Sequence, residues 1–159
     1  MPVLDLKAVI LVGGMGTRLR PLTNTVPKSM VPVLGRPAIE HTLLYLRSYG
    51  ITDIILTLNY LPDVICDALG DGSHLGVNLM YCFEETPLGT AGAVKNTESL
   101  LGDSPIVVLN GDIFTDLDLA DMLAFHRQNA AEATISLTWV EDPSSFGVVE
   151  MDDYNKVEA

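Results

Sequence analysis

Residues able to do chemistry gather at three places in this 159-residue sequence. The first is Gly13-Gly14-Met15-Gly16-Thr17-Arg18-Leu19-Arg20-Pro21-Leu22-Thr23, which follows directly on the apolar run Ala8–Val12. Positions without side chains let backbone N–H groups close on an anion. Thr17 adds a hydroxyl donor, and Arg18 a forked cation that matches phosphate oxygens. A glycine-rich turn can equally be structural. The second place is Lys28, set behind Pro27, whose ring fixes the local backbone; taken alone it reads as an exposed loop lysine. The third is Asp112, in Asn110-Gly111-Asp112 after the apolar Ile106–Leu109. A carboxylate at the carboxyl end of a strand suits Mg²⁺, which takes a few oxygen ligands beside phosphates and water. Its alternative is a turn aspartate capping the next segment. Asp116, Asp118 and Asp121 read as a solvated helix start. His41, His74 and His126 lie far apart, make no HExxH, and read as structural.

Two common nucleotide motifs fail. GxxxxGK[ST] is absent. In GxGxxG read from Gly14, Gly16 fits but Leu19 takes the third glycine position. The second strand ends at Asn59, where a dinucleotide site wants Asp or Glu for the ribose. Hydride transfer is therefore excluded.

Elements must position these residues, and hydrophobic runs alternate with helical patterns to do so. Strands are predicted over Lys7–Val12, Asp53–Leu58, Val77–Phe83, Pro105–Leu109 and Thr134–Val140, and at Phe146–Met151 leading into a turn at 152–155. Helices are predicted from Pro37 to about Ser48, with a stripe of Ile39, Leu43, Leu44 and Leu46, and over Pro62–Leu69, Thr90–Leu101 and Leu117–Asn129. This alternation implies an α/β fold: a mainly parallel, Rossmann-like sheet flanked by helices, with right-handed crossovers and ligands at the strands' carboxyl ends. Trp139 reads as core.

Composition narrows the partners. The formal charge is −12, yet residues 1–47 carry six basic residues against two acidic ones, and residues 48–159 three against nineteen. Backbone binding to nucleic acid needs a broad basic patch, so no nucleic-acid partner is expected. A small anion can still bind the basic part, helped by a cation; Lys7, Arg36 and Arg47 read as solvating a surface. With 48% hydrophobic residues the chain is not a disordered one. No run approaches the ~20 apolar residues of a membrane span, and the start does not read as a signal peptide. Cys66 and Cys82 form no CxxC and read as buried free thiols of a reducing, cytoplasmic setting.

Gly13-Gly14-x-Gly16-Thr17-Arg18-Leu19-x-Pro21-Leu22-Thr23, followed by Pro27-Lys28-Ser29-Met30-Val31-Pro32-Val33, resembles the signature of the sugar-phosphate nucleotidylyltransferases. The resemblance runs on through Pro87-Leu88-Gly89-Thr90-Ala91-Gly92, Asn110-Gly111-Asp112 and Phe146-Gly147-Val148-Val149. It implies in-line attack of a sugar 1-phosphate on the α-phosphorus of a nucleoside triphosphate, releasing pyrophosphate and forming a nucleotide sugar. It also implies that Gly13, Gly14, Gly16, Thr17, Gly89 and Thr90 hold the nucleotide and that Arg18 meets the triphosphate and departing pyrophosphate. Lys28 would meet the phosphates near the reacting centre, Asp112 a Mg²⁺ cofactor, and the Gly147 backbone the sugar. Gly147 could otherwise be a strand glycine at a bulge.

Guanine offers two donors on its pairing edge, which a carboxylate can accept. Glu84, five residues before Gly89, corresponds to the family's base-reading position, where thymidylyl and uridylyl members usually place Gln. It could as well be a polar strand-end residue. The Pro-Leu-Gly-Thr-Ala-Gly run is most similar to the mannose-1-phosphate guanylyltransferases. A thymidylyl- or uridylyltransferase acting on glucose 1-phosphate is the alternative within the family; a non-catalytic regulatory module, like the nucleotidyltransferase-like subunits of a translation exchange factor, is the alternative outside catalysis. A homo-oligomer is compatible with all three. Family members also carry a later Glu-Lys-Pro lysine for the sugar phosphate and a second metal-binding aspartate. Neither is in this sequence, so residues 1–159 read as the N-terminal portion of a nucleotidyltransferase domain, of low activity alone.

Overall fold

The computed structural model describes residues 4–158 and divides into two units, one up to Ala120 and one from Asp121. The first holds a parallel sheet. β1 (Lys7–Leu11), β4 (Asp53–Leu58), β5 (Asn78–Phe83) and β6 (Ile106–Asn110) lie in the order β5-β4-β1-β6. β1 pairs with β4 from Ala8 opposite Ile54, and with β6 from Lys7 opposite Ile106. β1 and β4 are the central strands, and Ala8, Val9, Ile10, Ile54, Ile55, Leu56 and Leu58 are wholly buried. That burial explains their continuous apolar runs, since a central parallel strand is covered on both faces.

The crossovers fix the order. β1 leads through a long loop, the short hairpin of β2 (Pro32–Val33) and β3 (Arg36–Pro37), and α1 (Ala38–Ser48) to β4. α2 (Pro62–Leu69) then leads to β5, and α3 (Gly89–Asn96) returns the chain to β6 on the far side of β1. The order therefore reverses between β1 and β6, and a crevice opens at the carboxyl ends there. α1 buries Ile39, Leu43 and Leu46 in the common core, while Leu44 is only half-buried. It stops at Gly50, whose φ of 78° lets the Gly50 N–H reach Arg47 O (2.9 Å) and the Ile51 N–H reach Leu46 O (3.1 Å).

Lys7 and Arg47 do more than solvate a surface. Lys7 Nζ donates to Leu100 O at 2.7 Å, and Arg47 Nη1 donates to Leu75 O at 2.7 Å. The cysteines are half-buried rather than buried, and both are free. Burial, with Asp63 and Asp67 nearby, pushes the Cys66 thiol up, and burial beside Glu84 does the same to Cys82. Asn96 Nδ2 donates to Cys82 Sγ (3.1 Å) and to Phe83 O (3.3 Å), tying α3 to β5.

The second unit contains most of α4 (Leu119–Gln128), and here the strand expectations fail. Thr134–Val140 and Phe146–Met151 form no ladder; a single antiparallel bridge joins Met151 to Val157 around the expected turn. Alternating apolar residues prepare a surface for a strand, but a strand also needs hydrogen-bonded neighbours. Among the described residues Thr134–Val140 has no strand neighbour, and Phe146–Met151 has only that bridge, with the Glu158 N–H on Glu150 O at 2.9 Å. Trp139, expected in the core, is 99% exposed for the same reason. No helix among the described residues is long and apolar enough to cross a membrane.

Candidate active site

A cleft of about 400 Å³ opens at the carboxyl ends of all four strands. Gly13 and Gly14 enter it from β1, Asn59 from β4, Glu84 from β5, and Asn110, Gly111 and Asp112 from β6. Gly89 and Thr90, in the first turn of α3, line it as well. The leading N–H groups of a helix have no partner within it and favour anions. Lys28 reaches the cleft from the long loop, and its ammonium forms an ion pair with the Asp112 carboxylate. Seven of the candidate residues, Gly13, Gly14, Lys28, Glu84, Gly89, Thr90 and Asp112, are thus brought together across a sequence span of nearly one hundred residues.

Backbone geometry explains how the long loop delivers Lys28. Gly16 takes φ 59°, a conformation few side-chain-bearing residues adopt, and a 3₁₀ turn at Thr17–Leu19 follows. The buried Thr23 hydroxyl donates to Gly16 O at 2.8 Å, and Tyr60 Oη donates to Thr23 O at 3.1 Å and Asn24 O at 3.2 Å. Gly16 also abuts Lys28: a Cβ placed there would lie 3.0 Å from Lys28 Cβ and 3.1 Å from Thr23 Cγ2. Gly16 therefore sets the stem of Lys28 without lining the cleft. Thr17 and Arg18 do not line it either and are exposed on the same loop.

Glu84 is held at one oxygen. Its Oε2 accepts the Leu88 N–H at 3.1 Å, and its backbone carbonyl accepts from Asn59 Nδ2 at 2.8 Å. A Cβ on Gly13 would make ordinary contact with Asn59 Cβ at 3.5 Å and with Glu84 Oε1 at 3.8 Å, so Gly13, Asn59 and Glu84 are neighbours in this wall. Gly147 lies in the second unit, in irregular exposed chain, and a Cβ there would meet nothing within 4 Å. It is no strand glycine.

Several lining residues were not singled out from sequence. Asn59 works through a partner 25 positions away, a pairing no local pattern carries. Ser29 and Thr57 are buried, line the cleft, and have hydroxyls without a partner among the described residues. An unmatched buried hydroxyl costs about 1–3 kcal/mol, so the floor is more polar than its neighbours imply.

The donor set bears on a metal. No group of three or more His, Cys, Asp and Glu able to hold an ion occurs among the described residues. Asp112 is a single half-exposed carboxylate beside bare glycine backbone. That fits a hard cation sharing its ligands with phosphates and water, and does not fit an all-protein cage. Asp118 Oδ1 accepts the Ala120 N–H at 2.8 Å, which agrees with the reading of a helix start. His41 Nε2 lies 2.9 Å from Val33 O and His126 Nδ1 3.0 Å from Thr134 Oγ1, both local contacts.

Known proteins resemble this chain in sequence and in fold. The nucleotidyl transferase family matches residues 7–159. The mannose-1-phosphate guanylyltransferase of Mycobacterium tuberculosis is 45% identical over 152 residues, covering 96% of this chain and 42% of that protein. The mannose-1-phosphate guanyltransferase of Aspergillus oryzae is 46% identical over 147 residues, covering 91% of this chain and 40% of that one. The chain thus spans about two fifths of the length of these relatives. A proposed glucose-1-phosphate thymidylyltransferase from Bacillus anthracis, solved in complex with a sucrose, superposes with a TM-score of 0.84 at 32% identity over 96% of this chain and 62% of that one. HddC from Yersinia pseudotuberculosis, complexed with GMP-PN, gives a TM-score of 0.80 at 31% identity over 97% of this chain and 68% of that one. The parallel sheet flanked by helices is the nucleotide-sugar transferase fold.

Proposed function

Because the chain belongs to the nucleotidyl transferase family, we propose that it is the nucleotide-binding part of a sugar-1-phosphate guanylyltransferase that joins GTP to mannose 1-phosphate. A phosphate oxygen of the sugar phosphate forms a bond to the α-phosphorus, the bond to the β-phosphate oxygen breaks, and pyrophosphate leaves. Both reactants are anions, so the work is positioning and neutralisation. The observation that carries the reading is the meeting of Lys28, Asp112 and the bare Gly13-Gly14 backbone at the point where strand order reverses.

Roles follow from position in the cleft and, for Thr17, Arg18 and Gly147, from the family resemblance. The backbone at Gly13 and Gly14 and the first turn of α3 at Gly89 and Thr90 offer N–H groups to phosphates. Gly16 shapes the loop, and Thr17 and Arg18 on it take the outer phosphates and the leaving pyrophosphate. Lys28 neutralises charge near the reacting phosphorus; at ~4 Å and an effective dielectric near 20, one unit-charge contact is worth about 4 kcal/mol before desolvation. Asp112 would hold Mg²⁺, which when bound polarises phosphoryl oxygens and offsets their charge. Glu84 accepts the N1–H and N2–H₂ donors of guanine, its carboxylate aimed by the Leu88 N–H. The family resemblance alone assigns the Gly147 backbone to the sugar. The free half-buried thiols support a cytoplasmic setting, and a homo-oligomer is compatible with the cleft.

The guanylyl reading is supported by Glu84 and by the two guanylyltransferase relatives. A thymidylyl reading has the Bacillus anthracis structure in its favour. The deciding assay supplies the full-length protein with Mg²⁺, labelled pyrophosphate and each nucleotide sugar in turn. Exchange with GDP-mannose is expected. Exchange confined to dTDP- or UDP-glucose would move the activity to the second reading, and no exchange with any would leave a non-catalytic module.

A further inference from the structure

The Lys28–Asp112 ion pair joins two loops separated by 84 positions, one following β1 and one following β6. The two side chains are 42% and 36% exposed, so water and small ions reach both. Among the described residues neither side chain has a second polar partner. Under the reading above, which this inference deepens, the two are wanted by different ligands: the carboxylate by a divalent cation, the ammonium by a phosphate. While they serve each other, each is a weaker partner for its ligand, because part of its charge is already compensated.

We propose that this ion pair is an exchange element that makes cation and triphosphate bind together. A cation arriving alone must take Asp112 from Lys28 and leaves the ammonium unpaired beside it. A triphosphate arriving alone must draw Lys28 away and then faces a bare Asp112 carboxylate. Arriving together, each ligand satisfies the residue the other has released, so four charged groups end in two pairs. Such an arrangement is a positive coupling between sites, and thermodynamic linkage makes it reciprocal. A pair with a purely structural role would lower stability when broken and leave ion affinity alone.

The test measures binding in the full-length protein rather than turnover. Free Mn²⁺ is followed by electron paramagnetic resonance in the wild type, Lys28→Met and Lys28→Gln without nucleotide. Lys28→Met should bind Mn²⁺ about two- to tenfold more tightly, the range expected from removing a half-exposed ionic competitor. Lys28→Gln gives the same reading should the methionine variant prove unstable. Arg18→Met removes the same charge from a residue outside the cleft lining and should leave Mn²⁺ affinity within about twofold at 0.15 M salt. In EDTA, Asp112→Asn should bind a non-hydrolysable GTP analogue more tightly than the wild type, because Lys28 is then unclaimed. Equal Mn²⁺ affinity in wild type and both Lys28 variants overturns the proposal, as does an Arg18→Met gain matching that of Lys28→Met. Pyrophosphate exchange with GDP-mannose, measured alongside, separates the failures. Intact exchange with unchanged Mn²⁺ affinity sinks only the coupling, whereas lost exchange with the Mn²⁺ shift present sinks only the choice of substrate.

Discussion

The two loops that face each other across the cleft are built differently. The loop at residues 13–30 is braced by three 3₁₀ turns, a left-handed Gly16 and the Thr23 hydroxyl on Gly16 O, and from beyond β4 by Tyr60 on the carbonyls of Thr23 and Asn24. The loop at residues 111–118 is short and leans on α1. Thr42 Oγ1 donates to Ile113 O at 3.5 Å, Tyr45 Oη to Leu117 O at 2.5 Å, and Tyr49 Oη to Leu117 O at 3.4 Å. The rings of His41 and Phe114 add a tilted contact at 5.5 Å. The cation therefore sits on a loop stabilised mainly by its own turns, with one brace from Tyr60, and the acid on a loop stabilised by a helix of the core. Each can be perturbed with little damage to the other.

The largest effect should come where the loops meet. Asp112→Asn keeps the shape of the residue and removes the charge. Loss of a directed electrostatic contact to a transferring phosphoryl group typically lowers turnover about 10²–10³-fold, and pyrophosphate exchange by the full-length variant should fall by at least that much. Unfolding should hardly move, because a half-exposed ion pair contributes about 0–1 kcal/mol. A large stability loss with modest kinetic change would mean that the pair holds the loops together, contrary to the separation argued here.

Next in size are changes inside the self-braced loop. Gly16→Ala puts a side chain at φ 59° and drives its Cβ to 3.0 Å from Lys28 Cβ. The left-handed conformation alone costs about 1–2 kcal/mol. The melting temperature should drop, and KM for the nucleotide should rise as Lys28 is displaced. Thr23→Val is milder: it preserves shape and burial and deletes one hydrogen bond, worth about 1 kcal/mol. Gly16 O keeps the Leu19 N–H at 2.9 Å, so no buried acceptor is stranded. A Gly16→Ala loss no larger than that of Thr23→Val would show that crowding against Lys28 and Thr23 adds nothing beyond the left-handed φ.

The contrast also shows what the sequence makes legible. Asp53–Leu58 and Pro62–Leu69 fall where apolar pattern, Pro and Gly place them, because periodicity and end signals are local. Thr134–Val140 has an equally strand-like pattern but no ladder, since pairing depends on partners that a local pattern does not name. The 3₁₀ turns and the two-residue strands of the β2–β3 hairpin are too short to leave a period. Among the cleft-lining residues, Gly13, Gly14 and Asp112 stand out by their type at strand ends, whereas Lys28 and Glu84 stand out only through the family resemblance. Asn59, Tyr60, Ser29 and Thr57 do not stand out, because each acts through burial or through a carbonyl far away in sequence.

The smallest effect belongs to the helix-braced loop and is best read by pH. Burial pushes the Tyr45 phenol up to about 12, helped by Tyr49 and the acidic Asp118 and Asp116. Only the neutral phenol can donate to Leu117 O. A folded-state value above the unfolded one, which is near 10, favours the protonated form. Its stabilisation is therefore complete below pH 10 and disappears as the pH rises towards 12. Tyr81, whose hydroxyl donates to Gly70 O at 2.6 Å, is also pushed up to about 12, chiefly by burial. Phenolate absorbance should thus show one late-titrating tyrosine fewer in Tyr45→Phe than in the wild type. At neutral pH that variant should lose no more than about 1 kcal/mol, because Tyr49 still reaches Leu117 O. Pyrophosphate exchange should remain near wild type. Should Tyr45→Phe instead reduce exchange as severely as Asp112→Asn, the acid-bearing loop would owe its position to one phenol rather than to the face of α1.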